Sequence, residues 1–225
     1  MKKTYAALAL LALILPSCDD SDQDTHHPTV YNIVELASRG EEGTTFLYYP
    51  APGDTPVTLA ARTESAVATE PGDCLFLGYT EDATPADGGA TPITVKSVAS
   101  ILNTDARIAS SDEIAGWDSE PIHLLALWRA GEKVILRCLL TADNAPRHFG
   151  LLIDEATLGD PEPTAYIYHR RDTPTPNYSS QYYTAFSLAP LLHPDGEAAR
   201  PEHTALRIRV ANAANPYVRE ITIKL

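Results

Sequence analysis

Prolines and glycines cut this chain at short intervals, and that punctuation limits what it can fold into more than any other feature. Eighteen prolines stand against a single methionine, and the runs between them are rich in Val, Ile, Leu, Thr and Tyr. Proline removes a backbone donor and breaks helix interiors, whereas β-branched and aromatic residues suit a pleated, half-buried surface. The chain therefore reads as all-β, with short strands joined by turns. The only candidate helices are the apolar N-terminal segment and a turn near Val98 to Leu102.

Strand signals begin at Val30, where Tyr31, Ile33 and Glu35 alternate with Asn32, Val34 and Leu36. Further runs are Phe46 to Tyr49, Val57 to Ala61, Cys74 to Tyr79 and Ile93 to Val98, separated by Gly40 to Gly43, Pro50 to Gly53, Pro71-Gly72 and Pro85 to Gly89. Five strands so spaced suit a small, partly closed barrel. Ser110 to Pro121, polar around Trp117, reads as a linker. Seven more runs follow: Ile122 to Trp128, Lys133 to Leu140, His148 to Ile153, Ala165 to His169, Tyr182 to Leu188, Ala205 to Val210 and Val218 to Leu225. This spacing predicts two packed antiparallel sheets. In Leu206-Arg207-Ile208-Arg209-Val210 the apolar groups take one face and the arginines the other, which is solvated.

The N-terminus carries an address. Lys2 and Lys3 precede an apolar stretch from Tyr5 to Leu15, the n-region and h-region of a secretory signal. It is about half the roughly 20 residues needed to span hydrocarbon. Leu15-Pro16-Ser17-Cys18, followed by Asp19 and Asp20, reads as a lipoprotein processing site, with Pro16 as its irregularity. The expected partner is a lipid bilayer, reached through acyl chains on Cys18. Each buried methylene contributes roughly 0.8 kcal/mol, and two or more chains hold stably. Cleavage would move the formal charge from −13 to −15. So acidic a protein is not expected to bind nucleic acid. Asp19 to Asp24 is a charged run with nothing to bury and reads as a tether.

Gly72-Asp73-Cys74-Leu75-Phe76-Leu77-Gly78-Tyr79, followed by Ile93 to Val98 and Ile101-Leu102, resembles the N-terminal OB-type barrel of the NigD-like lipoproteins. Arg147 to Asp154, Ala165 to His169 and Tyr182 to Leu188 resemble that family's C-terminal β-sandwich. The chain departs from the family pattern at Cys74, where a basic residue is usual, and over Val134 to Arg137. The resemblance implies an OB-like barrel followed by an antiparallel β-sandwich. Signal, tether, strand runs and linker together divide the chain into a lipoprotein signal over 1–17, an acidic tether over 18–27, a barrel over 28–109, a linker over 110–120 and a sandwich over 121–225. The resemblance also implies a Bacteroidota lipoprotein with a proposed link to bacteriocin immunity. In that lineage Asp19 and Asp20 resemble a signal for export to the outer face of the outer membrane; a periplasm-facing anchor is the alternative.

Motifs for chemistry are sparse. The sequence has no Gly-x-Ser-x-Gly elbow, His-Glu-x-x-His, phosphate-cradling loop or Cys-x-x-Cys. No enzyme activity, cofactor or metal is expected. His148 and His169, with Asp154 and Asp172 nearby in sequence, are the candidates for a polar site. A periplasmic catalytic or metal-dependent factor centred on them is the alternative reading, and it requires the imidazoles to converge with a carboxylate. His26-His27 belongs to the tether. Tyr178 and Tyr182, beside Pro174 to Asn177, are candidate contacts for a protein or glycan partner, since aromatic rings with polar tips suit such surfaces. Period two buries Tyr183 in the core and leaves Tyr182 half exposed. Trp117 and Trp128 read as wedges between modules or as core groups. Cys74 and Cys138 read as two buried thiols or, in an oxidising compartment, a disulfide.

Overall fold

The computed structural model describes residues 28–41, 43–62, 70–82, 89–116, 119–142, 146–172, 178–193, 203–214 and 218–225. Cys18, the tether, Trp117 and the loop at 174–177 lie outside them, as does the side chain of Tyr178. Among the described residues no helix is long and apolar enough to cross a membrane.

The first module contains β1 (Val30–Gly40), β2 (Gly43–Tyr48), β3 (Val57–Ala61), β4 (Cys74–Glu81) and β5 (Thr91–Ser100), closed in the order β1-β2-β3-β5-β4. β3 and β5 run parallel, and β1 closes the barrel against β4 with Val30 opposite Tyr79 and Glu35 opposite Cys74. Closure leaves the small sheet without open edges. Side chains alternate as period two requires: Val34 and Leu36 meet Phe46, Leu59, Leu75, Leu77, Tyr79 and Ile93 inside. The buried phenol of Tyr79 accepts a hydrogen bond from Asn32 Nδ2 at 3.1 Å, which offsets its desolvation.

The second module contains β6 (Leu102–Asp105), β7 (Arg107–Ala109), α1 (Ser111–Ala115), β8 (His123–Ala130), β9 (Lys133–Ala142), β10 (Arg147–Asp154), β11 (Thr164–Arg171), β12 (Tyr178–Ser187), α2 (Ala189–Leu192), β13 (Ala205–Ala211) and β14 (Val218–Lys224). One sheet has the order β14-β13-β11-β10-β7 and the other β6-β12-β9-β8. The seven expected strands are all present. Val134, Leu136, Leu151, Ile153, Phe186, Leu206 and Ile208 fill the space between the sheets. Arg207 and Arg209 face out, and both reach Glu220.

Three expectations change. The segment Val98 to Leu102 is not helical: β5 extends to Ser100 and β6 starts at Leu102. The second module begins ahead of the segment expected as a linker, because β6 and β7 belong to the two sandwich sheets and Ala106 carries the chain from one sheet to the other. Residues 110–120 instead include α1, with Ser110 as its N-cap. Finally, β6–β12, β7–β10 and β11–β13 are parallel pairs within an otherwise antiparallel sandwich.

Cys74 and Cys138 are separate buried thiols. Burial pushes both up to about 12, since a thiolate has no solvation there. Iodoacetamide should therefore leave both unmodified in the folded protein and alkylate both in denaturant. Peptide mapping that finds rapid native labelling of either would contradict this packing.

Candidate functional site

The two modules meet on the outer face of the β6-β12-β9-β8 sheet, and β9 shows why. Val134, Ile135 and Leu136 are each fully buried, so this strand is covered on both faces. Val134 and Leu136 enter the sandwich core, whereas Ile135 joins Cys74, Ala130 and Ala185 in a separate cluster packed by Ile33, Tyr49, Ile101 and Trp128. Polar contacts fix the docking. Cys74 N–H donates to Asn103 Oδ1 at 2.7 Å, and Asn103 Nδ2 donates to Cys74 O at 2.9 Å and Ile101 O at 3.2 Å. Lys133 Nζ pairs with Glu35 at 2.8 Å across the junction.

Beside this junction lies a cleft of about 680 Å³. Phe76 and Ala99 line it from the barrel, Ile101 and Leu102 from the connection between the modules, and Arg147, Phe149 and Gln181 to Thr184 from the sandwich. An aromatic run crosses the junction here, with Phe76 and Tyr183 in the cleft wall. Tyr31 stacks on Phe76 with centroids 5.8 Å apart, and Phe76 meets Tyr183 at 5.5 Å. Tyr31 sits directly over Gly78, its partner on β4: a Cβ there would lie 2.7 Å from the Tyr31 ring. The missing side chain lets the ring settle against the sheet while Tyr31 stays 57% exposed.

Two arginines flank the run. Arg137 lies 5.8 Å from the Tyr183 centroid, and Arg147 lies 5.2 Å from that of Tyr182. Gln181 Oε1 accepts from Arg137 Nε at 3.0 Å and from the Tyr183 hydroxyl at 3.3 Å. These contacts hold Arg137 across the ring with its charge on the surface. No Asp or Glu is among the described residues lining the cleft. Its chemistry is apolar and aromatic with cationic edges, suited to holding a ligand that brings apolar groups and negative charge.

The histidines do not converge. β10 and β11 pair with His148 opposite Arg170 and Phe149 opposite His169, so alternation sends the two imidazoles to opposite faces. His148 is exposed and meets the Asp172 carboxylate at 3.1 and 3.2 Å. His169 is 2% exposed, with Phe149 at 4.9 Å between centroids and Arg147 Nη1 3.4 Å from its Nε2. Burial, and then the Arg147 guanidinium, lower His169 to about 4. Asp154 is engaged elsewhere, accepting from Ser111 Oγ and Ala156 N–H. Among the described residues no group of three His, Cys, Asp or Glu side chains could hold a metal.

Tyr182 lines the cleft from the sandwich-core side, whereas Tyr183 faces the barrel. The expected parity is thus reversed, because Thr184 and Phe186 set the inward face of β12. Tyr178 opens β12, its backbone opposite Ala142. Trp128 packs at the module junction, as a wedge. The sequence reading did not find Tyr31, Phe76, Arg137, Arg147 or Gln181 as a group. The one local signal was Arg137, a charge inside the run Val134 to Leu140.

No family model matches the chain, and no curated protein matches it in sequence. Solved structures do match in shape. A NigD-like immunity protein from Bacteroides caccae superposes with a TM-score of 0.60 at 14% identity, over 86% of this chain and 90% of that one. The chain has the NigD-like fold. A protein of Bacteroides fragilis described as a candidate lipoprotein shares it at a TM-score of 0.63 and 11% identity, over 88% and 98% of the two chains. A protein of unknown function from Bacteroides vulgatus gives 0.67 and 10%, over 88% and 91%. At such identities the NigD-like likeness is one of architecture, and both modules take part in it.

Proposed function

We propose that the protein is a lipid-anchored binding protein of the cell envelope, attached through Cys18 and engaging its partner at the cleft between barrel and sandwich. The carrying observation is the aromatic run of exposed Tyr31 and half-buried Phe76 and Tyr183, with Arg137 across its end, on a junction held by buried side chains. Exposed aromatic and arginine side chains on a fixed framework are the usual anchors of recognition, and a rigid junction keeps their ordering cost low. The separation of His148 from His169 removes the geometry on which a catalytic or metal-dependent reading depended. The name of the Bacteroides fragilis neighbour supports an anchored lipoprotein, and that of the NigD-like immunity protein supports an immunity-like role as a variant of the same binding function. Asp19 and Asp20 support display on the outer surface of the outer membrane.

Three measurements test this. Cys18→Ala should move the protein from the membrane fraction to the soluble fraction, and protease added to intact cells should digest the wild type. Crosslinking in intact cells should yield a defined adduct that drops at least tenfold in Tyr183→Ala and in Arg137→Glu and persists in His148→Ala. An adduct indifferent to the cleft variants but lost in His148→Ala would place the function elsewhere.

A further inference from the structure

We propose that the cleft takes an extended, acidic peptide segment as an added β-strand along the open edge of β12. This rests on the binding role assigned above to the same cleft and names what binds there.

The pairing pattern defines the opening. β12 pairs with β9 from Tyr178 to Ser187, but with β6 only from Thr184 onward. β10 pairs with β11 from Arg147 to Ile153, but with β7 only from Leu152 onward. β6 and β7 together seal one side of the sandwich and then stop. Among the described residues, Ser179 to Tyr183 of β12 and Arg147 to Leu151 of β10 have no strand partner on that side. The chain arriving from the barrel through Ile101 and Leu102 turns in where the seal begins, so Gln181 to Tyr183 of one open edge and Arg147 and Phe149 of the other border the cleft.

Tyr182 and Tyr183 point to opposite faces of β12, yet both line the cleft. A space reached by consecutive residues of one strand runs along that strand's edge, where alternate N–H and C=O groups point outward. Such groups need hydrogen-bond partners and are the template for strand addition. An oligosaccharide would use the rings and the guanidinium but has no use for a strand edge, and this favours peptide. The five residues Ser179 to Tyr183 offer roughly 17 Å of edge at about 3.4 Å per residue.

Side chains then select the sequence. Phe76, Tyr183, Ile101 and the 42% exposed Leu102 offer apolar contacts, while Arg137 across the Tyr183 ring supplies positive charge and no described lining residue supplies negative charge. The whole chain carries 30 Asp and Glu against 17 Lys and Arg, so this local reversal fits an acidic ligand. The matching segment alternates apolar residues with Asp or Glu.

The test is an amide NMR titration of the purified protein with pools of acetylated, amidated hexapeptides that alternate Val, Ile or Leu with Asp or Glu. At least one pool should shift the Ser179 to Tyr183 amides and slow their hydrogen exchange. N-methylating alternate peptide bonds of the active peptide should abolish the effect, replacing its acids by Lys should weaken it at least tenfold, and Arg137→Glu should do the same. Trigalacturonate serves as the acidic glycan probe. Strand addition is overturned if no pool protects these amides, if N-methylation leaves binding intact, or if trigalacturonate alone binds at the cleft. Should the cellular adduct still depend on Tyr183 in those cases, the binding role stands and only the strand mode falls.

Discussion

Gly43→Ala should destabilise the protein by about 4 kcal/mol and lower its melting temperature by about 10 °C, from the cost of a forbidden backbone added to a broken ladder. Gly43 starts β2 at φ +121°, a region closed to residues with a side chain. Its Cβ would also stand 2.3 Å from the Ala61 carbonyl oxygen and 3.3 Å from Arg62 Cα. Those neighbours are backbone atoms of the last residue of the adjoining strand and the one after it, so relief requires β2 and β3 to separate where Thr44 pairs with Ala61. Opening that seam breaks a closed barrel and exposes Phe46 and Leu59. Gly53→Ala is the control. It too has positive φ, +84°, but nothing lies within 4 Å of the added Cβ. It should lose only the roughly 1–2 kcal/mol of a left-handed backbone. Melting curves for the two variants decide the matter, and equal losses would show that the contact with Ala61 does not govern the barrel.

The barrel was legible because each of its strands carries its own alternation, as Val34 and Leu36 do in β1 and Leu75, Leu77 and Tyr79 do in β4. β6 and β7 were not, since four and three residues hold no measurable period and their partners lie far along the chain. The second half of β5 misled for a related reason: Lys96 to Ser100 is largely solvent-facing and lacks an apolar rhythm. The site fared worse than the fold. Tyr31, Phe76 and Tyr183 come from three strands of two modules, and only the closure of β1 on β4 and the docking of β9 bring their rings together. For the histidines, composition was not the missing fact but register. A shift of one residue between β10 and β11 would put His148 and His169 on one face, and nothing local in the sequence excludes it.

Lowering the pH from 7.5 to 4 should cost the wild type about 3 kcal/mol through His169 alone, the linkage value of a pKa displaced from 6.5 to about 4. The imidazole lies near the end of β11 beside Phe149, with Arg147 against its Nε2, Arg171 nearby and Glu120 acting in the opposite sense. Burial and the two guanidinium groups keep it neutral when folded, while the unfolded chain protonates it near 6.5. The unfolded state therefore binds the extra proton between those values, so this stabilisation is complete above about 6.5 and declines as pH falls toward 4. Below that both states are protonated and the contribution stops changing. Urea midpoints across this range should fall less steeply in His169→Gln, whose amide oxygen can still accept from Arg147 without titrating. Parallel profiles for variant and wild type would remove His169 as the source. The residue that first looked like half of a catalytic pair would then be neither a site nor a proton-sensitive support, whereas a flattened profile places it beneath the cleft wall, holding Arg147 through a neutral imidazole.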